Sequence, residues 1–192
     1  MTSLPTQGAI KVVALLLFAL VLQVGVLDGM RVSGVHPDLL LLVSVLAGLA
    51  GGPEKGAIVG FLAGLSADLV LTTTTPLGLS SLSFCLAGFA AGMLLTVVLR
   101  TSWFIAPLVA FSGSALGVLG FAAAGALVGR ADLIQGHLLT IVAVVASANA
   151  VLSLGLWKPV AWASRAPATT RTGTRVSVRG VAGRPGVRAG AR

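Results

Sequence analysis

Residues 37 to 70, PDLLLLVSVLAGLAGGPEKGAIVGFLAGLSADLV, set an ordered row of glycines and an acid inside apolar sequence. Gly52, Gly56, Gly60 and Gly64 recur every fourth residue, and Asp68 takes the next place in the row. On a helix this spacing makes a ridge without side chains that leads to a carboxylate. Such a ridge lets a second helix approach closely in a membrane. A carboxylate in that setting is costly unless it faces protein or a wet cavity, which makes Asp68 a candidate site residue. Ala63, off the row, is the candidate lipid-facing position of the same helix.

The rest of the chain explains why the setting is a membrane. Hydrophobic residues make up 56% of the 192 positions and charged residues only 9%, with a mean hydropathy of +1.03. A water-soluble surface cannot be built from that composition. Long unbroken apolar runs, rather than ten-residue alternation, select helices over a transmembrane barrel. The fold class expected is therefore an all-α integral membrane protein with six spans, near 9–28, 37–50, 56–71, 77–99, 103–128 and 133–157. The second and third runs are short, about 21 and 24 Å as helices, so either their ends extend into the Gly51-Gly52-Pro53 turn or the bilayer thins there. The first run is expected to be a retained helix, since only Lys11 precedes it and no small-x-small cleavage site stands before Asp28.

Residues 158–192 hold Lys158 and seven arginines with no acid, so the whole net charge of +8 belongs to that segment. The positive-inside rule puts the C-terminus in the cytoplasm, and an even number of spans puts the N-terminus there too. Lys11, Lys55 and Arg100 then share the inner side with Trp103, Trp157 and Trp162, whereas Arg31 and Arg130 lie outside. The basic tail, with Lys158, Arg165, Arg171, Arg175, Arg179, Arg184, Arg188 and Arg192, is interrupted by Pro167, Gly173, Gly180, Gly183, Pro185, Gly186 and Gly190. It has no apolar face to bury, so it is expected to be disordered and to rest on anionic lipid rather than on nucleic acid.

In this topology Asp28, Arg31, His36, Asp38 and Asp68 converge on the outer face. Asp38 follows Pro37 at a helix start, where the dipole and free backbone N–H groups favour a carboxylate. Asp68 stands near a helix C-terminus, where the dipole repels it. It should therefore accept hydrogen bonds from elsewhere, and the turn Thr72 to Gly78, with Pro76 and Leu77, offers donors. Gly88 and Gly92, each preceded by alanine, and Gly113 with Gly117 supply small surfaces for close packing.

Enzymatic chemistry finds no support in the sequence. His36 and His137 have no partner at metal-ligand spacing, and the single cysteine, Cys85, allows no disulfide or thiolate metal site. Ser66, Ser83, Ser112 and Ser147 lack a base at the same depth and are expected to bond backbone carbonyls. Asn149 is expected to bond between helices. No cofactor motif is present.

Pro37-Asp38 opening a leucine helix, Gly52-Pro53, Gly56, Gly60-Phe61, Gly64-Leu65 and Asp68, followed by Pro76-Leu77-Gly78, resemble the MreD family of rod shape-determining membrane proteins. The strong part covers residues 37 to 92. The resemblance implies a non-enzymatic scaffold of the bacterial inner membrane that partners the bitopic protein MreC and, through it, the MreB filament and peptidoglycan synthases. It also implies a compact bundle like the substrate-binding subunits of energy-coupling-factor vitamin transporters. Those subunits give the alternative function, a vitamin binder, for which the later helices carry few polar anchors and helix 1, ALLLFALVLQ, carries bulky residues on every face. Two departures from the family pattern stand out: the long basic tail, and Gly92-Met93-Leu94-Leu95 where bases usually follow the helix-4 glycine.

Overall fold

The computed structural model describes residues 6–27, 37–70, 77–97, 105–129 and 137–164. They form six helices: α1 (Thr6–Leu22), extended by a π-helical turn at Gln23–Leu27, α2 (Leu39–Gly51), α3 (Pro53–Val70), α4 (Leu79–Val97), α5 (Ile105–Leu127) and α6 (Leu138–Ser164). Among the described residues there is no strand.

The leucine-rich α2 is the axis of the molecule. Every residue from Leu39 to Leu49 is buried, and α2 packs against each of the other five helices. The others close around it in the order α3, α4, α5, α6, α1, with the α1–α3 seam the sparsest. This placement answers why α2 is short. Its 13 residues rise about 20 Å, but a helix sheathed in protein does not have to match the thickness of the lipid. An apolar residue on every face of α2 finds a protein neighbour, which explains a sequence with no polar side.

Three helices are both long and apolar enough to cross a membrane, over Gly8–Gly25, Ile105–Leu127 and Leu138–Ser164, while Leu39–Gly51 and Leu79–Leu94 are apolar but shorter. The outward surface carries Ile10, Leu17, Phe18, Phe61, Leu69, Leu86, Leu116 and Val151, all exposed. A surface of this kind suits hydrocarbon, not water.

Three details depart from expectation. Gly52 is not part of the packing ridge: it caps α2 with φ +92°, and a Cβ there would meet nothing within 4 Å. Its role is conformational, since it turns the chain in one residue into Pro53, which opens α3 with its ring in the first turn. Ala63 is fully buried, so the outward face of α3 belongs to Ile58, Phe61, Leu62 and Leu69. Finally, α6 continues through Pro159 to Ser164. Val160, Ala161, Ala163 and Ser164 are buried, and the Lys55 ammonium donates to the Ser164 carbonyl at 2.9 Å. Residues 158–164 thus belong to the bundle rather than to a tail, because burial and a cationic cap at the helix end offset the lost hydrogen bond at Pro159.

Candidate functional site

The polar side chains of the bundle gather where α2 and α4 begin and α1 and α3 end. An α-helix leaves its first backbone N–H groups without partners, and here other helices supply the acceptors.

Asp68, in the last turn of α3, is 1% exposed. Its Oδ2 accepts from the Gly78 N–H at 2.8 Å, the Ser81 N–H at 3.4 Å and the Ser81 hydroxyl at 3.3 Å, and its Oδ1 accepts from the Ser80 N–H at 3.3 Å. The carboxylate therefore caps α4 from another helix, and the positive end of the α4 dipole offsets the unfavourable one of α3. Gly78 adopts φ +99°, a conformation that presents its N–H to the carboxylate at little cost only for glycine. Pro76, expected in this cluster, lies outside the described residues.

The start of α2 is a second polar centre. Asp38 is its N-cap and accepts from the Leu41 N–H at 3.0 Å. Gln23, 2% exposed at the first position of the π-helical turn, accepts from the Leu39 N–H at 2.8 Å and donates to the carbonyl of buried Pro37 at 3.0 Å. From α6, Asn149 donates to the Asp38 carbonyl at 3.1 Å and to the Ser114 hydroxyl of α5 at 2.9 Å. One segment, Pro37 to Leu39, thereby ties α1, α2 and α6 together, with α5 joined through Asn149. The Asn149 Oδ1 is buried without a hydrogen-bond partner among the described residues.

The glycines join α2, α3 and α4 below these caps. A Cβ on Gly56 would lie 2.6 Å from the Gly48 Cα and 2.6 Å from the Gly88 carbonyl carbon, and one on Gly60 would lie 2.6 Å from the Phe84 carbonyl carbon. Gly64 abuts the backbone of Ser80 and Ser81, Gly88 that of Gly56, and Gly92 that of Gly52 and Pro53. Backbone meets backbone along the whole seam, so each position excludes any side chain. Gly113 and Gly117 work differently: they leave room for the side chains of Val45 and Leu41 from α2.

Four further serines are locally bonded. Ser66, Ser83, Ser112 and Ser147 each donate to the carbonyl four residues back, at 2.8, 2.9, 3.0 and 2.6 Å. Hydroxyls bonded in this way are not poised as nucleophiles. At the opposite end of the bundle, the Lys11 ammonium sits 4.3 Å from the centroid of the Trp162 ring, in the range of a cation–π contact. Lys158 is exposed on α6. Arg165 and the other tail arginines, together with Asp28, Arg31 and His36, lie outside the described residues.

A family model described as the rod shape-determining protein MreD matches residues 6–161. The chain belongs to the MreD family. The match takes in the two capped helix starts, the glycine seam and all of α1 to α5, and ends inside α6. No curated protein and no solved structure matches the chain. Membership makes this a membrane protein of a family concerned with cell shape.

Gln23 and Ser114 carry roles that sequence reading did not assign. A lone glutamine at the end of an apolar helix was the available signal for Gln23, since an amide at that depth must find partners.

Proposed function

We propose that the chain is a non-enzymatic scaffold subunit of the bacterial cell-shape and elongation machinery. Its six helices would cross the inner membrane with both termini in the cytoplasm. An MreC-like bitopic protein is its direct partner, and through it the chain coordinates the MreB filament and peptidoglycan synthases. The observation that carries this reading is the family match over residues 6–161.

The chemistry of the bundle supports the same reading. Asp38, Asp68, Gln23 and Asn149 are engaged in holding helix starts, and Ser66, Ser83, Ser112 and Ser147 in bonding their own helices, which suits a rigid platform for partners. Lys11, Lys55 and Trp162 gather at one end, in keeping with an inner interface, and Asp38 and Asp68 then frame the outer face. Pro37, Asp38, Asp68, Pro76 and Gly78 would set the shape of the outer loops that a partner touches. The basic tail from Arg165 onward would rest on anionic lipid and hold the C-terminus inside. A compact bundle like that of energy-coupling-factor substrate-binding subunits fits the central α2. A ligand-binding function of that class has one observation in its favour, the unmatched Asn149 Oδ1.

The test is co-isolation from membranes. A tagged chain is expected to retain the bitopic partner in stoichiometric amount, and its deletion to round the cells. A chain that inserts and folds but retains no partner, in cells that keep their shape, would refute the scaffold reading.

A further inference from the structure

Helix α1 is the most loosely held stave of the bundle: only 17% of its apolar window is buried. Polar contacts hold it at each end, Gln23 at one and Lys11 at the other. Where α1 begins and α6 finishes, Lys11 reaches across the seam to the face of Trp162. Trp162 is 62% exposed, and Lys158, one helical turn before it, is exposed on the same stripe of α6 as Val151, Leu154 and Trp162. Lys158 is therefore on the outward apolar surface, about one turn deeper than the indole, where its stem lies along hydrocarbon and its ammonium rises toward the interface.

Two lysines thus serve one exposed indole, Lys11 in contact with its ring and Lys158 one helical turn before it. The exposed Glu54 is on α3, and residues 155 to 192 contain no acid at all. Lys158 is exposed, so its ammonium is open to an anion from outside the chain. In this position the available anion is a lipid phosphate. Deeper than the lysine, Gly155 is exposed and a Cβ there would meet nothing within 4 Å, while Phe18, exposed on α1, and Leu154 offer apolar contact. A phosphate at Lys158 would direct its acyl chain into this open stretch.

We propose that the α1–α6 seam binds one anionic phospholipid, with its phosphate held by Lys11 and Lys158 and its glycerol region against Trp162. The site is on the folded bundle, separate from the arginine tail. It does not depend on which leaflet that end of the bundle occupies, nor on the partner protein.

The test uses the full chain with Trp103→Phe and Trp157→Phe, so that Trp162 alone emits, in phosphatidylcholine nanodiscs. A small fraction of brominated phosphatidylglycerol is expected to quench Trp162 several-fold more strongly than the same fraction of brominated phosphatidylcholine, by about five-fold per lysine at low salt. Lys11→Gln with Lys158→Gln should remove the preference, and deletion of residues 166–192 should leave it. If the double variant fails to fold, Lys158→Gln alone, at an exposed position, decides by losing about five-fold. Equal quenching by the two lipids would overturn the site. So would a preference that survives loss of the lysines or vanishes with the tail. Inorganic phosphate that erased the preference at constant ionic strength would replace the lipid with a soluble anion.

Discussion

Gly60→Ala adds one methyl group where α3 meets α4, and its cost follows from the backbone around it. The new Cβ would stand 2.6 Å from the Phe84 carbonyl carbon and 2.9 Å from the Cys85 nitrogen, against 3.4 Å or more for ordinary contact. These are helix backbone atoms that cannot rotate away. With the Phe84 carbonyl oxygen closer still, the seam must open by at least about 0.8 Å, which forfeits roughly a quarter to a half of the dispersion attraction of the contacts beside it. Overpacking of this kind costs about 1–3 kcal/mol, and the better helix propensity of alanine returns up to about 1 kcal/mol. A net loss of about 1 kcal/mol is expected. Gly120→Ala in α5 is the matched control, because a Cβ there meets nothing within 4 Å, so only the propensity gain remains. The propensity gain cancels between the two, so they should differ by the overpacking cost of about 2 kcal/mol, or roughly 4–8 °C in midpoint for a chain of this length. Thermal unfolding followed by size-exclusion chromatography in detergent reads that difference. Gly60→Ala as stable as Gly120→Ala would refute the packing argument. Gly60→Leu should be more damaging than Gly60→Ala, whereas substitution at exposed Phe61 should be mild.

Three further outcomes follow from the polar caps and the topology. Asp68→Ala removes the acceptor for Gly78, Ser80 and Ser81 N–H groups and should cost about 3–5 kcal/mol; Asp68→Asn retains an acceptor oxygen and should be milder in the same unfolding assay, with equal loss for both arguing against the cap. Gln23→Leu strands the Leu39 N–H and the Pro37 carbonyl and should cost about 2–5 kcal/mol, while Gln23→Glu, which keeps the acceptor, should lose less; no change from Gln23→Leu would mean that those groups find other partners. Introduced cysteines at Gly34 and Thr74 should react with an impermeant thiol reagent from outside and those at Lys55 and Arg100 should not, and the reverse pattern would invert the bundle.

Features set by local chemistry were legible in the sequence. A carboxylate following proline at a helix start caps that helix, as Asp38 does, and a carboxylate at an unfavourable dipole end must borrow donors, as Asp68 does from Gly78 before α4 and, beyond the expected turn, from Ser80 and Ser81 inside it. Glycines at fourfold spacing implied a close helix partner. What stayed hidden depends on pairings remote in sequence. Asn149 bonds a carbonyl 111 residues away, and Gln23 reaches partners 14 and 16 residues on, distances at which spacing carries no signal. The row of glycines did not reveal that Gly52 serves φ rather than packing, because both uses need the same residue. The burial of Ala63 depends on which helices surround α3. Nor could hydropathy mark where α6 ends, since Lys158 and Pro159 look like an exit but Val160 to Ser164 return to the bundle.

The central claim is that this member of the MreD family acts by holding partners, not by chemistry, and paired measurements of cell width and partner retention test it most directly. Cells lacking the chain would be complemented with the wild type, Gly60→Leu, Asp68→Ala and a variant in which Ser66, Ser83, Ser112 and Ser147 are alanine. Rod width is predicted to follow the amount of folded chain that co-isolates with the bitopic partner, with the serine variant indistinguishable from wild type. A variant that folds and retains the partner in full, yet leaves the cells round, would contradict the claim.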